Sequence, residues 1–477
     1  MKNDSTNASR GRHAATPRIL LVLALALAAC GCARRSAANA PAGKTEAELD
    51  AEYEAYRARL EGTVFVWPDY EDFAPHFTVP GSVKTLPHDA FVMGIPCVVY
   101  SIEDVELQPG VEAVEPGAFA GAECLERLVV PASCTNLANA LSGCESLRQI
   151  DLAPDHPAYR IDDGFLLSRD GRELLYALRL DGRGGRIVVP DGVERIDNGA
   201  FADWESRLGS ASTAPLEEIV LPASLREIGD GAFDNCRSLR TVALPEGLER
   251  IGERAFEGCG ALEGIVLPAS LRETGEWAFF QSGLRRVGFA DGCSASLGAC
   301  AFWNCGRLER VTVPGGVRLS HSAFYNCGAL VEATLAPGIR TIPRHLFSGC
   351  KALARVSLPE GVETIEWEAF AWCAALREID LPASLRTVSA DAWRGCDALR
   401  NIRSAANPAD AGTFVRDGML FDRGGCRLLR APSDAEGAVA VPPGAPAIIQ
   451  EAADRTKPLL LPATNASSAD GAKEPAP

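Results

Sequence analysis

The sequence predicts a repeat solenoid, and three regular beats carry that reading. An aromatic slot recurs at Phe233, Phe256, Phe279, Phe302, Phe324, Phe347, Phe370 and Trp393, in steps of 23 residues with a single step of 22. Pro222, Pro245, Pro268, Pro314, Pro337, Pro359 and Pro382 keep the same interval. Cys144, Cys236, Cys259, Cys305, Cys327, Cys350, Cys373 and Cys396 each stand three residues after the slot, placing eight of the sixteen cysteines in one column. A chain of 477 residues would ordinarily suggest two or three globular domains, but a repeat array grows in one dimension and escapes that estimate.

Earlier units are looser. Phe91 closes VPGSVKTLPHDAF, Phe119 closes QPGVEAVEPGAF, Phe201 closes VPDGVERIDNGAF, and Leu141 fills the slot in NLANALSGC. That makes twelve coils between about 77 and 400, and a thirteenth, damaged unit occurs at VPPGAPAIIQEAA with Ala453 in place of the aromatic residue. Loss of the large residue there fits a terminal cap, which has no further neighbour to pack against.

Each position of the unit has a physical task. In Leu239-x-x-Val242-x-Leu244 apolar and polar residues alternate near the end, as in a half-buried strand. Pro245 has no N–H and ends the ladder, Glu246-Gly247 makes the turn, and Leu248 and Ile251 face inward again. Gly252 is expected to permit a tight bend. Ala255, Phe256 and Cys259 lie at helical spacing and are expected on a short helical turn facing the core. Stacked coils would pair their strands in parallel at about 4.8 Å.

This unit strongly resembles the BspA-type leucine-rich repeat, in which proline follows the strand and Ala-Phe-x-x-Cys-x-x-Leu closes the coil. The resemblance covers roughly residues 75–455. It implies a leucine-rich-repeat, right-handed curved solenoid of about 12–13 coils of 22–23 residues, with a parallel β-sheet on the concave face and short helical or 3-10 turns. It also implies adhesion or surface contact as the usual role, without naming a ligand, because one fold serves many partners.

The cysteine column reads as reduced core thiols, since a buried free cysteine behaves as a small hydrophobe. A disulfide ladder between coils is the rival, but stacked side chains point the same way rather than at each other. A bridge involving the irregular Cys124 or Cys134 stays open, and Cys97, Cys293, Cys300 and Cys426 are equally irregular.

The N-terminus reads as a targeting segment. Lys2, Arg10, Arg12 and Arg18 precede an apolar run from Ile19 to Ala29, too short for a permanent span of about 20 residues. Leu27-Ala28-Ala29-Cys30 resembles the lipobox of bacterial lipoproteins, which implies cleavage before Cys30 and lipidation of its thiol. Residues 1–29 are then the signal peptide, 30–44 a flexible tether, 45–61 a capping helix, 62–455 the solenoid, and 456–477 a disordered tail. The expected location is the cell surface or outer membrane, with a periplasm-facing protein as the alternative.

Two interruptions match each other. Gly164, Leu166, Arg172 and Leu174–Leu175 correspond within a residue to Gly418, Leu420, Arg427 and Leu428–Leu429. Asp170-Gly171 is a hairpin-turn signal, so β-hairpin inserts are expected at about 155–187 and 404–438.

Chemistry is sparse. The sequence contains no G-x-S-x-G elbow, no H-E-x-x-H and no phosphate-cradling glycine loop. A net charge of −16 opposes nucleic-acid binding. Neighbouring-coil His321 and His345 suggest a metal pair, but no third ligand completes it and turn positions are the plainer reading. No cofactor is expected and the chain is expected to be monomeric and non-catalytic. The strand positions that do not face the core carry Arg240, Arg285, Arg286, Arg310, Arg355, Arg377 and Arg400, suited to carboxylates of a protein or glycan ligand. The same residues can instead form cross-strand pairs with Glu309, Glu332 and Glu378. A structural scaffold of the envelope, or more remotely an enzyme subunit, is the alternative function.

Overall fold

The computed structural model describes residues 76–88, 90, 102–119, 122–179, 185–204, 215–389 and 391–404, with strand backbone alone at 413–416, 419–422, 428–430, 439–440 and 459–460. The signal peptide, Cys30, the tether, the 45–61 helix, the Phe91 slot and the 442–453 coil lie outside the described residues. The described residues fold as coils of a parallel β-solenoid. The chain divides into two compact units, Met1–Arg169 with Leu175–Arg179, and Asp170–Leu174 with Leu180–Pro477.

In the first unit, His76–Val79, Asp104–Leu107, Arg127–Val130 and Gln149–Leu152 pair in parallel. Thr85–Leu86 and Ala113–Val114 make a second, shorter parallel ladder. The unit ends in an antiparallel pair, Tyr159–Asp162 with Phe165–Ser168, turning through Asp163 and Gly164 at φ 42° and 72°. Tyr159 Oη donates to Thr135 O at 2.9 Å and accepts from Leu137 N at 2.7 Å, so its buried hydroxyl is fully satisfied.

Each regular coil of the second unit has three sides. The first is the strand before proline. Gly264–Leu267, Arg286–Phe289, Arg310–Val313, Glu332–Leu335 and Arg355–Ser357 form one parallel sheet, with Ile265, Val287, Val311 and Ala333 buried at the same register position. Proline then opens a turn: Leu248 N donates to Pro245 O at 3.1 Å and Leu271 N to Pro268 O at 3.2 Å. The second side is a two-residue strand. Arg195–Ile196, Glu227–Ile228, Arg250–Ile251 and Glu273–Thr274 pair in parallel, as do Thr341–Ile342, Thr364–Ile365 and Thr387–Val388. This second sheet is an addition to the single sheet expected from sequence.

The third side corrects the expected helical turn. Among the described residues the aromatic slots lie in hydrogen-bonded turns and no helix forms. From Phe201 to Phe370 the residues two before and two after each aromatic are left-handed: Gly231 and Asn235 around Phe233, Trp277 and Gln281 around Phe279, Ser322 and Asn326 around Phe324, with φ of 52–59° in these three. Left-handed residues stop an α-helix from propagating and turn alternate N–H groups outward along the stack. Thus Trp277 N donates to Ala299 O at 3.0 Å, Phe279 N to Ala301 O at 2.8 Å and Gln281 N to Trp303 O at 3.0 Å, all in the following coil.

The aromatic rings make the core. Phe201, Phe233, Phe256, Phe279, Phe302, Phe324, Phe347, Phe370 and Trp393 stack with centroids 5.0 to 6.3 Å apart and planes within 19°. The cysteines beside them are free thiols. Each donates to the aromatic carbonyl of the preceding coil, for example Cys259 to Phe233 O and Cys327 to Phe302 O, both at 3.2 Å. Ser282, standing in for a cysteine, meets Cys305 Sγ at 3.3 Å. Burial pushes the Cys144 thiol up to about 12, which keeps it protonated and unreactive. Cys124 and Cys134 are free as well.

Gly252 also has a different task from the bend expected of it. Its φ is not left-handed; a Cβ there would lie 2.6 Å from Asp230 N, and one on Gly275 would lie 2.3 Å from Glu253 N. Glycine here permits close approach of successive coils.

The second interrupted segment contains Thr413–Arg416 antiparallel to Met419–Asp422, which pairs onward with Leu428–Arg430. In both segments a strand begins immediately after the matched glycine, Gly164 or Gly418. Leu459–Leu460, within the expected tail, pairs with Val439–Ala440.

Replacing Phe302 with alanine removes one ring from a continuous stack and is expected to cost about 3–5 kcal/mol in denaturant unfolding, with Phe302→Leu costing less. The column cysteines are expected to resist alkylation in the folded protein and to label fully in denaturant, read peptide by peptide in a mass spectrometer.

Candidate functional site

Alternation along the first strands turns every second side chain to solvent. Register then decides which exposed charges meet. Arg286 lies between Gly264 and Arg310, Arg310 faces Glu332, and Glu332 faces Arg355. Glu332 accepts from Arg310 Nη1 at 2.9 Å and from Arg355 Nη2 at 3.1 Å. The Arg355 hydrogen bond is the main reason the Glu332 carboxyl is held below its usual range. Arg285 reaches Glu309 at 3.7 Å. Further along, Arg403 Nε donates to Asp380 at 2.6 Å, and its Nη1 lies 3.2 Å from Glu378.

The seven arginines singled out from sequence are therefore of two kinds. Arg285, Arg310 and Arg355 are bound into cross-coil ion pairs. Arg240, Arg286, Arg377 and Arg400 are exposed and form no ion pair with the described residues. Arg286 sits in register with Arg310, and Arg400 N donates to Arg377 O at 2.9 Å, which sets those two strands side by side. Like charges directly opposite are unfavourable in a sheet, and among the described residues no carboxylate forms an ion pair with Arg286, Arg377 or Arg400. Exposed Val266 and Val331 stand on the same strand side, at 59% and 36% exposure.

A second cluster lies on the aromatic turns. The residue after the slot is Asp234, then Glu257, then Phe280, Trp303 and Tyr325 in successive coils. Burial, with Glu257 and Asp203 adding to it, pushes the Asp234 carboxyl up to about 7. Phe280 and Trp303 meet edge to face at 6.1 Å, and Trp303 and Tyr325 are 4.8 Å apart. Sequence reading passed over these rings because they directly follow the core phenylalanines. The doublets Phe279-Phe280, Phe302-Trp303 and Phe324-Tyr325 were the available signal, since the core slot of each coil holds a single ring.

His345 lies beside Glu368 at 3.6 Å and against Tyr325 and Trp367, and burial lowers its pKa. No group of three or more metal-ligating side chains occurs among the described residues. No helix among them is long and apolar enough to cross a membrane.

The pattern of the BspA type leucine rich repeat region matches six copies, over residues 73–163, 211–329 and 317–414, more than half of the chain. The chain belongs to this family. Among solved structures, this leucine-rich repeat is similar to a leucine-rich repeat protein from Bacteroides ovatus, at 25% identity over 72% of this chain and 86% of that one, with a TM-score of 0.50. A leucine rich cell surface protein from Faecalibacterium prausnitzii matches at 20% identity over 70% and 88%, TM-score 0.41. The leucine rich repeat protein of T. pallidum matches at 28% identity over 46% and 90%, TM-score 0.33. No curated protein matches the chain.

Asp234 gives this leucine-rich repeat a pH dependence of definite sign. An acid whose folded pKa is raised binds its proton more tightly when folded, so its contribution to stability falls as pH climbs from about 4 through about 7. Asp234→Asn is expected to raise the thermal midpoint at pH 8 and to leave it nearly unchanged at pH 4.

Proposed function

We propose that this chain is an exported, non-catalytic binding protein held to a membrane by lipid on Cys30, and that its strand face takes an anionic partner, a carboxylate-bearing protein surface or an acidic glycan. One observation carries the reading: Arg286 beside Arg310 and Arg377 beside Arg400 place like charges together, and among the described residues no carboxylate forms an ion pair with Arg286, Arg377 or Arg400. A face evolved only for solubility or sheet pairing would neutralise them, as Glu332 does for Arg310 and Arg355. Guanidinium forks suit carboxylate and sulfate oxygens, and the parallel sheet fixes their spacing. Display at the cell surface agrees with membership of the BspA type family and with the cell surface protein of Faecalibacterium prausnitzii among its structural relatives. The absence of recognisable nucleophile, metal or phosphate motifs supports a role in binding.

Retention of the protein on a sulfated or carboxylated glycan matrix is the direct measurement. Arg286→Glu with Arg377→Glu is expected to weaken retention about tenfold or more, whereas Arg355→Glu, at a residue already paired, should weaken it less. Equal retention of wild type and the double variant would remove the strand face from consideration. Cys30→Ala is expected to move the protein out of the membrane fraction.

A further inference from the structure

The aromatic turns offer a second surface, of opposite chemistry to the strand face. Its residues are joined coil to coil by backbone hydrogen bonds: Asn235 N to Glu257 O at 2.8 Å, Gly258 N to Phe280 O at 2.9 Å, Gln281 N to Trp303 O at 3.0 Å, and Asn304 N to Tyr325 O at 2.8 Å. Asp234, Glu257, Phe280, Trp303 and Tyr325 therefore run as one ribbon, a carboxylate end passing into an aromatic end. Phe280, Trp303 and Tyr325 are half-buried, while the core is already filled by Phe279, Phe302 and Phe324. Nothing in the packing of the coil demands a second ring at this position, and six other coils of the unit fill it with Ala202, Asp234, Glu257, Ser348, Ala371 or Arg394.

The molecule shows what such a surface holds. Arg254 places its guanidinium 4.9 Å from the centre of the Trp277 ring. Its Nε lies 3.5 Å from Glu253 and 3.6 Å from Glu257. An indole face and two carboxylates thus grip one guanidinium within the chain itself. The rings continue in the next coils, but among the described residues no guanidinium or ammonium lies over Phe280, Trp303 or Tyr325. Ring faces and carboxylates both attract cations, and an excess of acidic residues over the whole chain draws basic partners toward it.

We propose that this ribbon docks a basic segment of a partner protein, whose arginine side chains lodge among the rings and carboxylates as Arg254 does against Trp277. The site goes beyond the strand-face reading and is independent of it. The alternating tilt of the rings, 81° and then 55°, favours separate side chains entering from solvent over a flat ligand lying across coplanar rings.

The test uses the full chain with three probes: an octa-arginine peptide, its octa-citrulline counterpart, and a neutral cello-oligosaccharide. The arginine peptide is expected to bind, and the uncharged, nearly isosteric citrulline peptide to bind about tenfold more weakly or worse. Trp303→Leu keeps the position apolar and uncharged while removing the ring, and should weaken the arginine peptide about threefold to thirtyfold. Phe280→Leu should act in the same direction. Equal binding of the two peptides, insensitivity to both ring substitutions, or tighter binding of the oligosaccharide would each overturn the proposal. The citrulline comparison needs no variant, so it stands even where a substitution disturbs folding.

Discussion

Everything in the second unit depends on the hydrogen bonds that the aromatic turns send from coil to coil. Three N–H groups per turn reach the following coil, as with Arg254, Phe256 and Gly258 donating to Glu276, Ala278 and Phe280. That ladder holds successive rings in face-to-face stacks and brings each cysteine under the preceding aromatic carbonyl. It also sets the register of the two sheets, because a coil displaced by one residue would expose a phenylalanine and bury a charge. The ladder in turn needs left-handed backbone on either side of each ring, at a cost of about 1–2 kcal/mol wherever the residue is not glycine. Asparagine at positions 235, 304 and 326 lessens that cost, and Asn326 Nδ2 donates to Asn304 Oδ1 at 2.8 Å to add a side-chain rung.

Much of this was legible in the residues, and the reason is repetition. A position that serves the core once serves it in every coil, so Phe256 and Cys259 could be assigned from their copies rather than from their neighbours. The turn conformation was not legible in the same way. Ala255, Phe256 and Cys259 have the spacing of a helix, and only the recurrent glycine and asparagine two residues after the ring hinted at left-handed backbone. Gly252 was readable as a required glycine, yet whether it served a bend or a close approach depended on where the preceding coil lay.

The candidate surfaces divide along the same line. Exposure of Arg286, Arg310 and Arg355 followed from strand alternation and needed no coordinates. Which of them were spoken for did not, because Glu332 serves both Arg310 and Arg355 only through the pairing of three strands. Arg286 has the same local sequence context and no such neighbour. The aromatic ribbon was hidden by its adjacency to the core slot. Phe280 and Trp303 look like extra core until the single stack of Phe279, Phe302 and Phe324 is seen to fill it.

The one-way hydrogen bonding of the aromatic turns gives that side of the second unit an electrical polarity. Peptide dipoles aligned head to tail add up, as they do along a helix axis, with carbonyl ends toward the earlier coils and amide ends toward the later ones. Asp234 and Glu257 stand toward the carbonyl end, where the accumulated field disfavours a negative charge and favours a positive one. Burial, with Glu257 and Asp203 beside it, holds the Asp234 carboxyl up, and the field at that end would reward a cation placed there. A stack of identical turns thereby becomes an oriented object, able to tell a partner which end is which without any difference in repeat sequence.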